Sequence, residues 1–563
     1  MNFCTLIPCK VHFLNRFCKR FIHQSNELGG KGFMNWTPLK KCIPVVALAV
    51  ALTACSGGGG NSGSNVSPSA NGSSPSSSSS GTFSFSYMMA AKYINWLKDL
   101  AWYPELLKET NTQVNLVEGG QDDADYAKNL DLKIGSGEFP DAGIVSLSQA
   151  EVYGKQGVFL DLKPLIDKEA PNIKAFLDQN PDYANLVTDK DGHIYGLMQE
   201  YPTITSVTFY RSDMFKKAGI TQKPTTIQEF TDDLKKLKET YKSDSKFYPF
   251  TGRDSFIKYA EVFDANDKID ANGKVHGIYN GGLGYDLYSP GFKQLIEWYI
   301  SLYNDKLIDP EWVAGTQTED SWQTKMLTGK GAVSDDFFTR PAWFMSNGGP
   351  KNDPNYDIQV MNPLKTLDGQ QSKRPLYAPP LRTDRVMVIN AKSKDKADGI
   401  IKFMDFVFSE KGRTLMDYGV EGTTYKEENG QKTFITDFSV EAAKPLGTTN
   451  NGVYQDRLTF PAPVDNDAYY NFLDKLTKSF AKSYFDNYAA KDFPILKYDA
   501  DQLKERTNLL AKVQPALDAY IVKFVTGSLS MSKWDDFLNE MEKAGYKQIV
   551  AIDQAAYDAM KQQ

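Results

Sequence analysis

The sequence predicts an α/β protein folded as two lobes. Two observations carry this. Segments 82–88, 94–110, 113–117, 126–134 and 142–145 read strand, helix, strand, helix, strand, the order of a parallel layer covered by helices. The stretch from 82 to 563 is also too long to close around a single core.

The elements follow from local pattern. In 82–88, Phe83, Phe85 and Tyr87 alternate with small residues, the period of a strand. Residues 94–110 read as one helix and 126–134 as another that ends at Gly135. Residues 142–145 are apolar throughout, as in a strand covered on both faces. A helix starts at 150–153, and 159–162 forms an edge segment after the turn at Gly157. Residues 189–196 predict a hairpin turning at Asp191-Gly192. Its acidic spacing lacks the downstream ligand of a calcium loop. Residues 206–210 are a strand. Thr226 and Glu229 form a capping box before Phe230, Leu234 and Leu237 at helical spacing. Ser289-Pro290 opens a helix with Leu295, Ile296, Tyr299 and Leu302 on one face. Residues 397–408 are amphipathic through Ile400, Ile401, Met404 and Val407, with Gly412 as the expected stop. Trp534, Phe537, Leu538 and Met541 stripe the last helical region and predict core.

The N-terminal region is not part of this fold. Lys40 and Lys41 precede an apolar run, 43–52, too short to span a bilayer, which needs about 20 apolar residues. Basic, apolar and then small residues describe a secretory signal peptide, 1–54. The closing Leu52-Thr53-Ala54-Cys55 looks like a bacterial lipobox, in which the Cys55 thiol takes the lipid. Residues 55–81 follow as a Ser/Gly-rich tether. Residues 1–33 are basic and aromatic and precede a complete signal opening at Met34. Met34 is therefore expected as the true start, with a longer leader from Met1 as the alternative.

Composition excludes several functions. Residues 1–54 hold seven of the 64 Lys and Arg and one of the 70 Asp and Glu, which leaves −12 for the rest. With no basic block, a nucleic-acid partner is not expected. All five cysteines lie at or before Cys55, so the folded part has neither disulfide nor thiol chemistry. Only His193 and His276 remain in it, too few for a multi-histidine metal site. No cofactor is expected. The loop 264–273 is the best oxygen-rich candidate for calcium, but it lacks a terminal bidentate Glu.

The order of segments resembles the extracellular solute-binding proteins of family 1, sugar-binding components of ABC importers, and among them the large oligosaccharide-binding lipoproteins. SGEFPD (136–141), GVFLDLKPL (157–165), DGHIYGL (191–197), FYRSDMFKKAG (209–219), PTTIQEF (224–230), NDKLID (304–309), GVEGTTY (419–425) and the helix 534–545 occur in that family's order. The resemblance spans about 82 to 560. It implies a periplasmic-binding-protein-like (type II) fold with discontinuous lobes, a hinge, and a ligand in the cleft. The N-terminal lobe is expected at 82–205 with 383–425, and the C-terminal lobe at 206–382 with 426–563. Crossings are expected at 203–208, at 380–386 and just after Tyr425. The implied partners are an oligosaccharide, a membrane permease and, through the lipid, the outer face of the cell membrane. A monomer is expected, and no catalysis.

A sugar needs flat aromatics against its C–H faces and planar polar groups along its hydroxyls. Aromatic and polar residues near the crossings or motif loops are therefore the candidates. Trp343 and Phe338 follow the 329–333 segment, with lobe core as the alternative. Glu421 and Tyr425 lie in the 419–425 loop, or simply brace the hinge. Glu200 and Tyr201 precede the first crossing. Tyr210 and Arg211 open the second lobe, with an Arg211–Asp213 ion pair as the alternative. Trp322, Tyr377 and Arg382 are further candidates, with Trp102 and Trp96 near the first strand. A glycosidase or lyase is the rival function, since Asp, Glu and Tyr are plentiful. A ligand-sensing subunit docking on a membrane receptor shares the fold and the cleft.

Overall fold

The computed structural model describes residues 81–98, 100–202, 204–376, 381–435, 459–490 and 493–562. The signal peptide, Cys55, Tyr377 and most of the tether lie outside these residues. The strands that place the site are β1 (Phe83–Met89), β2 (Thr112–Glu118), β3 (Ala142–Val145), β4 (Leu197–Glu200), β5 (Ser206–Arg211), β6 (Val333–Phe337), β7 (Ile358–Val360) and β8 (Leu381–Ile389).

One sheet runs β2-β1-β3-β8-β4. β1 is parallel to β2 and to β3, with Phe83 opposite Thr112 and Tyr87 opposite Ala142. β8 is antiparallel to β3 and β4, with Val386 opposite Val145 and Leu381 opposite Glu200. The second sheet runs β6-β5-β7, antiparallel throughout, with Ser206 opposite Phe337 and Phe209 opposite Val360. The returning strand β8 makes the first lobe discontinuous, since the whole second sheet lies between β4 and β8 in sequence.

Burial follows the same division. Phe85, Tyr87, Met88, Leu197, Val388, Ile400, Phe403 and Met404 share one apolar cluster. Phe230, Leu234, Phe250, Tyr299, Leu302 and Val333 share another, which the C-terminal helices Ala500–Val525, Trp534–Ala544 and Tyr546–Lys561 cover through Val513, Phe524, Phe537 and Ile549. A third cluster, beside β5 and β6, gathers Val207, Phe209, Trp322, Phe338, Phe344 and Phe485.

Three local expectations change. Residues 94–110 form two helices, Ala91–Leu97 and Trp102–Glu109. Leu97 and Trp102 are both buried, yet five residues on one straight helix stand about 140° apart, so the break lets both reach the core. Gly412 does not stop the helix Ala397–Phe408. Ser409 ends it and caps the next helix, Glu410–Tyr418, by accepting from the Gly412 amide at 3.1 Å. A Cβ at Gly412 would stand 1.9 Å from the Phe406 carbonyl oxygen, so glycine permits the tight corner. The return after Tyr425 also falls later than expected. The hairpin Tyr425–Glu428 with Gln431–Phe434 still packs on Tyr418. Phe460 lies in the first core, stacked on Tyr87, whose hydroxyl donates to the Thr459 carbonyl at 2.9 Å. Among the described residues after Tyr425, side chains join the third cluster from Tyr469 onward.

Asp141 ties β3 to β1 and to the segment after β8. It accepts from the Ser86 amide (2.7 Å), Ser86 Oγ (2.8 Å), Ser393 Oγ (2.6 Å) and Lys396 Nζ (2.8 Å). Burial works against its charge, but Lys396, Ser393 and Ser86 outweigh it and hold the carboxyl down to about 2. The folded value lies below the unfolded one of about 3.9, so the stabilisation is complete above pH ~4 and fades between pH ~4 and ~2. Asp141→Asn is expected to cost roughly 1–2 kcal/mol at neutral pH. In urea titrations that deficit should shrink on acidification through this window; a deficit constant with pH would refute the account.

Candidate functional site

Strand direction brings one edge of each sheet to the crossings. Because β1, β2 and β3 are parallel, their C-terminal ends at Met89, Glu118 and Val145 share an edge. Antiparallel β8 starts at that edge and β4 ends there. The chain leaves it at Glu200 and comes back to it at Leu381. In the second sheet β5 begins at Ser206 and β6 ends opposite it, so Phe337 also stands at the crossing end. An antiparallel bridge between Thr205 and Leu376 joins the two connections. In open α/β sheets, the edge at the strand C-termini is where ligands bind.

The first-lobe wall is built on the helices that follow β1 and β2. Tyr93 lies on Ala91–Leu97, and Asp123 opens the helix Asp123–Gly135, whose N-terminus favours a carboxylate. Asp123 accepts from Tyr93 Oη (2.8 Å), Lys92 Nζ (2.6 Å) and Arg385 Nη2 (2.8 Å). Burial opposes its charge, but Lys92, Arg385 and Tyr93 hold its carboxyl below the ordinary value. The Arg385 guanidinium lies 4.6 Å over the Tyr93 ring, and Trp96 meets that ring edge-on at 5.1 Å. Burial, the dominant cause, raises the Tyr93 phenol, so it remains a donor. Arg382 forms a two-pronged pair with Asp384 at 2.8 and 2.7 Å and lies 5.1 Å over the Tyr201 ring. Glu200 accepts from the Val464 amide at 2.8 Å.

The second-lobe wall follows β6. Asp336 takes Arg253 through Nε at 2.6 Å and Nη2 at 3.1 Å, and Glu319 takes Arg253 Nη1 at 2.9 Å. Arg340 reaches Glu319 at 3.2 Å and Asp336 at 3.4 Å. The two guanidiniums cover Trp322, and they also lie over Phe337 and Trp343 respectively. Beneath this wall, Arg374 donates to Asp335 (2.5 Å), Glu261 (2.6 Å) and Ser206 Oγ (2.8 Å). Asp335 also accepts from Thr208 at 2.8 Å.

The expected ligand residues separate into groups on this frame. Tyr201, Arg382, Trp343 and Trp96 are half-buried at the crossing edge, with Glu200 beside them. Phe338 is 1 % exposed and packs on Phe485, because the turn after β6 points it into the third cluster. Trp322 is fully buried with Nε1 donating to Ser334 Oγ at 3.0 Å, so it forms the floor beneath Arg253 and Arg340. Trp102 is also core. Glu421 is exposed, and Tyr425 is buried against Tyr418 beside the helix Asn466–Phe472. Tyr210 and Arg211 lie at the far end of β5, about 15 Å from Ser206 at ~3.3 Å per residue. There Arg211 pairs with Asp213 at 2.7 Å and stacks on Tyr356 at 3.8 Å, so the intralobe ion pair is what forms. Sequence reading missed Tyr93, Asp123, Arg253, Asp336 and Arg385. The available signal was position, since Tyr93 and Asp123 lie just after parallel strands.

A model for the family described as bacterial extracellular solute-binding protein matches residues 94–414, more than half of the chain. The chain belongs to the bacterial extracellular solute-binding proteins. Among curated relatives of this solute-binding protein is the fructooligosaccharide ABC transporter substrate-binding protein FusA of Streptococcus pneumoniae. It is 24 % identical over 478 residues, covering 77 % of this chain and 83 % of the relative. The polygalacturonan/rhamnogalacturonan-binding protein YtcQ of Bacillus subtilis is 21 % identical, over 84 % of this chain and 87 % of its own. Among solved structures, alginate-binding protein AlgQ2 without calcium ion superposes with a TM-score of 0.65 at 22 % identity, covering 85 % of this chain and 98 % of that one. The solute-binding protein thus has the two-lobed α/β fold predicted for it. Among the described residues no group of three or more His, Cys, Asp or Glu is placed to hold a metal, and no helix is long and apolar enough to cross a membrane.

Proposed function

We propose that this chain captures an oligosaccharide between its lobes, closes about a hinge between them, and delivers the sugar to an ABC permease without chemically altering it. It acts as a monomer outside the cytoplasm, held to the membrane by lipid on Cys55. One observation carries the reading. Half-buried Trp96, Tyr201, Phe337 and Trp343 share the crossing edge with carboxylates already fixed by neighbouring cations. Aromatic faces with fixed acceptors suit a chain of sugar rings. The relatives named for fructooligosaccharide and for polygalacturonan point to the same ligand class.

The rival hydrolase needs a proton-donating carboxyl poised opposite a second carboxylate. Asp123 and Asp384 are instead held below their ordinary values, burial notwithstanding, by Lys92 with Arg385 and by Arg382. The test is thermal unfolding of the purified full chain with a panel of oligosaccharides, followed by analysis of the sugars. Saturating stabilisation is expected, about 2.7 kcal/mol at a hundredfold excess over Kd, with the sugar recovered intact. Cleaved product formed over many turnovers would overturn the reading. The anchor has its own check: Cys55→Ser should move the protein from the membrane fraction to the soluble one, and unchanged membrane retention would remove the lipid from the account.

A further inference from the structure

In three charge groups at the crossing edge the most exposed member is a carboxylate. Arg382 is 19 % exposed, whereas its partner Asp384 is 59 % exposed. Arg385 is 9 % exposed beside Asp123 at 53 %. Across the edge, Arg253 and Arg340 are 15 % and 14 % exposed, and the Glu319 they share is 45 % exposed. In these pairs the guanidinium is buried against an aromatic ring, namely Tyr201, Tyr93, Phe337 or Trp343, and the carboxylate is on the outside; Arg253 and Arg340 also hold a second carboxylate, Asp336, which lies deeper than they do. Lys92, 34 % exposed, is bound to the same Asp123 at 2.6 Å. Glu118 and Asp122 add two more exposed carboxylates at the end of β2. Lys258, 19 % exposed and 4.0 Å from the fully buried Asp335, is also more open than its partner.

An anionic sugar entering such an edge meets carboxylate oxygens first. The guanidiniums behind them are already paired with those carboxylates, and like-charge contact at partly desolvated range is unfavourable. A neutral sugar meets the same oxygens as acceptors for its hydroxyls, already oriented by the guanidiniums beneath. We propose that the cleft selects uncharged oligosaccharides and rejects uronate-containing ones, by presenting carboxylates outward and guanidiniums inward. This inference rests on the oligosaccharide reading of the cleft.

The experiment is calorimetric titration of the purified full chain at low and high salt. One set of probes is neutral fructo-, xylo- and galacto-oligosaccharides of three to five rings. The other is oligogalacturonates and oligoguluronates of the same lengths. Binding confined to a neutral sugar, with little salt dependence, is the expected result. A uronate oligomer that binds, weakens as salt rises, and has no neutral competitor of similar affinity would overturn this proposal while leaving the oligosaccharide reading intact. Failure of every probe of both kinds would refute that reading, and this proposal with it. A second measurement does not depend on finding the natural sugar's tightest form. Asp384→Asn and, separately, Glu319→Gln unmask a guanidinium, so the ratio of uronate to neutral affinity should rise about tenfold. An unchanged ratio in both variants counts against outward carboxylates as the selective element.

Discussion

Arg374→Ala is expected to lower the unfolding free energy by about 3–5 kcal/mol. The Arg374 side chain is 5 % exposed, and its guanidinium bridges Asp335, which is fully buried, and Glu261, which is 10 % exposed. Removing it leaves two carboxylates in the interior with no compensating cation of comparable geometry, and strands Ser206 Oγ at the start of β5. The loss comes mainly from uncompensated charge, so it should be reversible by removing the charges. Arg374→Met combined with Asp335→Asn and Glu261→Gln is expected to regain more than half of it, because a well-packed neutral replacement of a buried ion pair is often tolerated. Urea unfolding of the three proteins decides this. A single-variant loss below about 1 kcal/mol would place the network among ordinary surface pairs.

Trp343→Ala is expected to weaken sugar binding by about thirtyfold or more, the cost of losing about 2 kcal/mol at an aromatic anchor. Trp343 lies on the helix Arg340–Ser346 at the crossing end of β6, half-buried, with Arg340 5.6 Å over its ring. Trp343→Phe keeps a flat face and should retain most of the affinity. Its neighbour Phe338 gives the contrasting outcome. Phe338→Ala opens a cavity beside Phe485 and Tyr469 and is expected to cost 3–5 kcal/mol of stability. Titration of Trp343→Ala with the sugar found in the thermal screen checks the first claim, and an affinity equal to wild type would remove Trp343 from the cleft wall.

These two neighbours show where sequence reading reached its limit. Both are large aromatics in the same short motif, and nothing in residue type or spacing separates them. The turn after β6 rotates Phe338 into the third cluster and leaves Trp343 half-open. Arg211 shows the same limit by a different route. Its place after the crossing in sequence makes it a ligand candidate, but an extended strand carries it about 15 Å away from that crossing. Asp123 and Arg385 are 262 residues apart in the chain and meet only because β8 returns beside β3.

The sequence by itself determined the alternation of strands and helices, the capping box at Thr226 and Glu229, the Ser289 cap, and the core stripe of Trp534, Phe537 and Met541. These depend on propensities and periodicities within a few residues, so they are written locally. It also determined the family, through motifs kept in order. Only the tertiary structure decided which side chains stand half-buried at the crossing edge, which lie beneath them, and that Arg382 and Arg385 stand behind Asp384 and Asp123. That arrangement depends on strand direction and register, which bring together residues hundreds of positions apart, and on the competition between burial of an aromatic face and solvation of a charge. Neither quantity is defined until the sheets have formed.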